Sequence, residues 1–253
     1  MVEHGTGERG ERVDRGVHGE RRVRAVVFDV GETLVDETRL WAAWADWLGV
    51  PALTLFGVLG GVIERGEHHR RAFQILRPGF DHDRESAARA AAGRATSVER
   101  RDFYPDAVPC LAALRAEGYR IGLAGNQPVD AEATLRSLGL PVDVVASSAG
   151  WGVEKPDPAF FARVADAVGL PPAAIAYVGD RVDNDVVPAA EAGMLAVFLR
   201  RGPWGYTHAE LPGVARADIR LDTLAALPEA LRPFAAAGLG PGGAAAAAPA
   251  GDR

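Results

Sequence analysis

The 253-residue chain has one cysteine, Cys110, and one lysine, Lys155, the other 27 of its 28 basic residues being arginine. A lone cysteine excludes an internal disulfide framework and a thiolate metal cluster, and its context, "AVPCLAAL", reads as helix core. A reducing, cytoplasmic setting fits that usage. No window approaches 18 uninterrupted apolar residues, so no membrane span is expected. The opening stretch, "MVEHGTGERGERVDRGVHGERR", is charged and glycine-containing but has no apolar h-region, which argues against a secretory leader. A net charge of −6 offers no polybasic footprint, so neither nucleic acid nor an anionic membrane is an expected partner. The scarcity of lysine singles out Lys155: where guanidinium serves everywhere else, this position calls for a compact ammonium.

Composition is otherwise that of a globular chain, 48% apolar and 25% charged. Residues 1–22 and 234–253 are low in hydrophobic pattern, the latter an Ala/Gly/Pro tail, and both are expected to be disordered. Between them, short apolar runs predict strands at 23–28, 120–124, 142–146, 174–178, 195–199 and 218–221. Helical patterns over 107–116, 130–138, 158–168 and 187–192 separate them. This alternation predicts an α/β fold, a mostly parallel sheet with helices on both faces, and ligands in such sheets sit at the carboxyl ends of the strands. Residues 38–103 break the rhythm. Their pattern is helical, with Leu40, Trp41, Trp44, Trp47 and Leu48 near one face, and predicts an α-helical insertion dividing a core of 23–37 and 104–233. The tryptophans fit packing inside that insertion better than an aromatic lining over a ligand.

Chemistry-bearing residues recur at the predicted strand ends: Asp29 after the first, Asn126 after the second, Lys155 after the third, and Asp180, Asn184 and Asp185 after the fourth. In a parallel sheet these converge on one patch. A carboxylate there can attack phosphorus if negative charge is neutralised nearby. Asp180 and Asp185 are hard oxygen ligands suited to Mg²⁺, Lys155 is a compact positive charge, and Asn126 with loop N–H groups can hold oxygens.

The ordered segments "FDVGETL", "LAGNQP", "EKPDPAFF" and "VGDRVDNDVVPAAEAGM" resemble the four motifs of the haloacid dehalogenase-like (HAD) hydrolase superfamily, over about residues 23–232. The resemblance implies a Rossmann-like core, a helical cap of the C1 type between motifs one and two, and Mg²⁺ at the site. By position it makes Asp29 the nucleophile and a metal ligand, and assigns the Gly31 backbone carbonyl, Asp180 and Asp185 to the metal. Lys155 is the motif-three lysine, and Gly125, Asn126 and Lys155 fall at the phosphate. The implied activity is phosphohydrolysis of a small phosphorylated metabolite through an aspartyl phosphate.

Two positions depart from that pattern. Gly31 stands where the family's phosphatases carry the aspartate that protonates the leaving oxygen, and Gly125 where they carry a Ser or Thr on a phosphate oxygen. Losing a general acid costs about 10²–10⁴-fold, most for poor leaving groups. One answer is a substrate whose leaving group needs little protonation; another is an acid from elsewhere. Glu32 is the nearest candidate, with Asp36, Glu37, His68, His69, Asp81 and His82 beyond it. A 2-haloacid dehalogenase resembles the family without the second aspartate, but its motif four lacks the leading Gly-Asp present here as Gly179-Asp180. A phosphonatase needs a cap lysine, and residues 38–103 contain none. A degenerate member that binds a phosphorylated ligand or a protein partner is the non-enzymatic alternative; retention of Asp29, Lys155 and both motif-four acids weighs against it.

Overall fold

The computed structural model describes residues 22–237 and 239. The chain begins with β1 (Ala25–Phe28), whose four residues are all buried, and then forms four helices in succession: α1 (Thr38–Leu48), α2 (Ala52–Glu64), α3 (Arg71–Leu76) and α4 (His82–Ala91). The alternating part follows, with α5 (Ala107–Ala116), β2 (Arg120–Gly125), α6 (Val129–Ser137), β3 (Val144–Ser147), α7 (Ser148–Trp151), α8 (Pro158–Val168) and β4 (Ile175–Gly179). It closes with α9 (Val187–Glu191), β5 (Leu195–Leu199), α10 (Gly202–His208), β6 (Ile219–Leu221) and α11 (Leu227–Leu231).

All six strands pair in parallel, in the order β3-β2-β1-β4-β5-β6. The period-two alternation of a strand divides β1 between two layers. Val26 and Phe28 join Leu111, Leu114 and Leu227 on one face of the sheet, while Ala25 and Val27 join Phe160, Phe161 and Val164 on the other. Burial on both faces explains why the strands read as continuous apolar runs. Each expected strand is present within two residues of its expected start. Because β1 lies centrally, with β2 on one side and β4 on the other, the crevice at its carboxyl end is where the strand order reverses.

The four-helix insert has its own apolar cluster of Ala45, Leu55, Leu59, Val62, Ile63 and Ala72, to which α10 contributes Trp204. The tryptophan stripe is packing. Trp41 stacks on Phe73 at 5.8 Å, and Trp44 meets Phe73 at 5.3 Å and Phe80 at 6.0 Å, with the Arg89 guanidinium 3.9 Å above its ring. Among the described residues no single helix is long and apolar enough to cross a membrane.

The expected disorder of 1–22 and 234–253 falls mainly outside the described residues. At the margin the boundary shifts. Val23 N–H donates to Phe234 C=O at 2.7 Å and Ala236 N–H to Val23 C=O at 3.1 Å, so residues 234–236 lie against the start of β1 rather than in the tail.

Candidate active site

Asp29 leaves the end of β1 with its backbone N–H still donating to Val178 C=O of β4 at 2.9 Å. That bond fixes the carboxylate in the crevice. Asp180 follows β4 directly, and the next turn is a wide π-type coil over Val182–Val186 that swings Asp185 back toward Gly179. Gly179 is required there, because a Cβ at this position would collide with the Asp185 side chain. Asp29, Asp180 and Asp185 are all buried, and each brings a carboxylate oxygen within 4.8 Å of the other two.

Lys155 answers two of them. Its Nζ donates to Asp29 Oδ1 at 2.6 Å and to Asp185 Oδ1 at 2.6 Å, with only 4% of the residue exposed. Burial by itself would lower this ammonium, but the Asp185 and Asp29 charges more than offset that and hold it well above its ordinary value. Asp185 spends its other oxygen on the Arg181 backbone N–H at 2.9 Å. Burial pushes Asp185 up to about 6 even against Lys155, and burial together with the Asp185 and Asp29 charges raises Asp180 well above its ordinary value.

Expected as a phosphate ligand, Asn126 instead uses both ends of its amide on the Lys155 backbone. Its Nδ2 donates to Lys155 C=O at 2.9 Å and its Oδ1 accepts from Lys155 N–H at 2.8 Å. The strand-two loop thereby positions the lysine carried by the strand-three loop. Gly125 has a steric reason: a Cβ there would run into Asp29 Oδ1, so the absence of a Ser or Thr side chain makes room for the carboxylate to turn toward Lys155.

Three carboxylates against one ammonium leave a formal excess of two negative charges in a buried place. Among the described residues, Asp180 Oδ2 is buried without a hydrogen-bond partner, and Oδ1 has only the Thr33 hydroxyl at 3.5 Å. A buried anionic oxygen left bare is costly, and an all-oxygen donor set of this charge suits a divalent cation. The residues fit the metal.

The loop after Asp29 decides what stands before Gly31. Leu34 and Val35 N–H both donate to Val30 C=O, and Glu32 N–H to Val35 C=O, so the chain turns back on itself and Val35 bridges Gly31. Arg201 braces the turn from beyond β5, donating to Thr33 C=O at 3.0 Å. Glu32 sits in the left-handed region at φ 55°, which costs a non-glycine residue roughly 1–2 kcal/mol. Its carboxylate accepts from Glu37 N–H at 3.1 Å and from the Tyr104 hydroxyl at 2.8 Å. Both oxygens of Glu32, the substitute acid favoured by sequence, are thus engaged in holding the loop. Glu37 is the carboxyl against Gly31. Burial first, then the Glu32 and Asp29 charges, push it up to about 8.

The candidates within the insert are accounted for elsewhere. Asp81 caps α4 through Asp83 and Arg84 N–H, and His82 packs on Trp44 at 4.9 Å. Burial and the neighbouring positive groups lower His68 and His82, and bring His69 down to about 3, so the His69 ring is neutral near pH 7. Thr33, Arg201 and the Tyr177 hydroxyl, which donates to Ala124 C=O at 2.7 Å beneath Lys155, were not singled out by sequence.

The family model for haloacid dehalogenase-like hydrolase matches residues 23–193, which include Asp29, Asn126, Lys155, Asp180 and Asp185. A glyceraldehyde 3-phosphate phosphatase of Methanopyrus kandleri is 33% identical over 72% of this chain and 86% of its own length. A plasmid-borne phosphoglycolate phosphatase of Cupriavidus necator is 31% identical over 83% and 93% respectively. In structure, a predicted phosphoglycolate phosphatase of Haemophilus somnus 129pt superposes with a TM-score of 0.58 at 20% identity, over 83% of this chain and 98% of that one, a likeness of fold. The carboxylate cluster at the sheet's switch point, the buried lysine and this extended match together make the chain a member of the haloacid dehalogenase-like hydrolase family.

Proposed function

We propose that the chain is a phosphohydrolase of small phosphorylated metabolites, with Asp29 as nucleophile, Mg²⁺ as cofactor and the 38–103 insert as a helical cap over the site. The observation that carries this is the Lys155 ammonium seated between Asp29 and Asp185 beside the unsatisfied Asp180 oxygen. The names of the relatives support the substrate class, since glyceraldehyde 3-phosphate and phosphoglycolate are both small phosphate esters.

Asp29, the Gly31 carbonyl and Asp180 would hold the Mg²⁺, with Asp185 orienting Lys155; when bound, the ion neutralises charge on the phosphate. An Asp29 carboxylate oxygen attacks phosphorus and the bond to the leaving oxygen breaks. Lys155 stabilises the negative charge on the transferring group. Water then attacks the aspartyl phosphate and Asp29 is released. The carboxylate pairing with Lys155 keeps the nucleophile aimed, and Asn126 keeps Lys155 in place through its backbone.

The direct test is phosphate release from a series running from acetyl and aryl phosphates to alkyl and sugar phosphates, with Mg²⁺ and with chelator. Release that requires metal is expected; an absence of release from every ester in the series overturns the reading and favours a ligand-binding role.

Metal binding is also expected to appear in stability. Asp185 is raised above its ordinary value, so its protonation contributes stability that is fully present below about pH 4 and lost as pH rises through about 6 in metal-free protein. The cation opposes that loss. At about 100 times its Kd, Mg²⁺ adds ~2.7 kcal/mol, and thermal unfolding should show a larger Mg²⁺-dependent rise in Tm at pH 7.5 than at pH 5.

A further inference from the structure

Glu37 carries an inference that rests on the phosphohydrolase reading and deepens it. An alcohol leaves phosphorus as an alkoxide unless a proton reaches its oxygen, and the side chains around Asp29 are mostly committed. Lys155 is shared between two carboxylates, Asp185 accepts from Lys155 and from Arg181 N–H, and Glu32 accepts from Tyr104 and from Glu37 N–H.

The Glu37 carboxyl is placed differently. A Cβ built on Gly31 would fall 2.6 Å from Glu37 Oε1 and 2.9 Å from its Cδ. The carboxyl thus fills the volume that a side chain two residues beyond the nucleophile would take. Its Oε2 accepts from the Trp41 indole N–H at 3.2 Å, which fixes its orientation, while Oε1 has no hydrogen-bond partner among the described residues.

We infer that Glu37 is the catalytic acid–base of this enzyme, its carboxyl reaching the leaving-group oxygen from the start of α1 across the space that Gly31 leaves open. In the first half-reaction an Asp29 oxygen bonds to phosphorus, the bond from phosphorus to the leaving oxygen breaks, and that oxygen takes the bonding pair and the Glu37 proton. In the second, the Glu37 carboxylate takes a proton from water as the water oxygen bonds to phosphorus. The bond to Asp29 breaks, releasing inorganic phosphate, and Glu37 ends protonated as it began. The Gly31 site and Glu37 are linked: a side chain at 31 and the Glu37 carboxyl cannot occupy the same place.

The test compares wild type, Glu37→Gln and the double variant Gly31→Asp with Glu37→Ala on one alkyl and one aryl phosphate, with stopped-flow detection of the phenolate. Glu37→Gln is expected to lower kcat on the alkyl phosphate about 10²–10⁴-fold. On the aryl phosphate it should give a burst of one phenolate per enzyme and then slow turnover, because forming the aspartyl phosphate needs no proton there whereas its hydrolysis needs a base. The double variant moves the carboxylate to position 31 and should recover at least tenfold on the alkyl phosphate relative to Glu37→Gln. Wild-type alkyl turnover in Glu37→Gln overturns the assignment. So does an equal loss on both esters with no burst and no recovery in the double variant, which is the outcome of a purely structural role. A wild-type enzyme inert toward both esters fails at the earlier step and removes the phosphohydrolase reading itself, and the acid–base role with it.

Discussion

Asp29→Asn removes turnover on every phosphate ester, by on the order of 10⁶-fold, while the protein stays folded. No neighbour can take over as nucleophile. Asp185 is held by Lys155 on one oxygen and by Arg181 N–H on the other, and Asp180 follows a different strand, β4. The amide keeps the shape of the carboxylate, so its oxygen still accepts from Lys155. It also removes one negative charge from a cluster with a formal excess of two, so Tm should hold or rise in metal-free protein. Steady-state phosphate release and thermal unfolding of the same sample check both halves; residual activity above about 1% of wild type would break the nucleophile assignment, judged on the triad-removal scale.

Lys155→Met has the second largest expected effect, and it falls on stability as well as on turnover. The ammonium is 3% exposed at the side chain and bonded to two buried carboxylates, and its removal leaves three acids facing one another. Removing one partner of a buried charge network costs about 3–5 kcal/mol, which for a domain of this size lowers Tm by about 6–20 °C. The sign with pH follows from the raised carboxylates. They are stable as neutral acids, so the loss is smallest at acid pH and grows as pH rises and the acids ionise without the ammonium that opposes burial at Asp185. Lys155→Arg is expected to fail too. A planar fork of five donors has no room where one nitrogen lies 2.6 Å from two different carboxylates. Unfolding of both variants at pH 4.5 and 7.5 checks this, and a Lys155→Arg protein with wild-type Tm and activity would refute the need for an ammonium.

Much of this site is legible along the chain because its members follow strands. Each of the six apolar runs is a strand, and in a parallel sheet the residue after a strand must lie at the same edge as its counterparts; Asp29 and Asp180 are placed by that rule alone. The single lysine among 28 basic residues marks its own importance, since every surface role had been given to arginine. Asn126 was legible as a site residue but not in its task, because a side-chain amide can bind an oxyanion or a backbone equally well, and only the approach of the 154–156 loop selects the backbone. Trp204 shows the same limit. It lies far along the chain from the insert yet packs into the cluster around Leu55 and Leu59, a contact made by α10 crossing against α2.

The sequence by itself determined the sheet and the order of the strand-end groups Asp29, Lys155, Asp180 and Asp185, since these depend on local hydrophobic periodicity and on which residues follow each strand. It also showed a gap at Gly31 and a glutamate beside it. Only the tertiary structure decided which carboxyl meets that gap. The turn at 30–35 sends Glu32 toward Tyr104, in the connection before α5, and folds Glu37 back over Gly31, where Trp41 holds it. Adjacency along a chain does not set the direction of a side chain; that is set by backbone dihedrals and by the hydrogen bonds that distant residues supply.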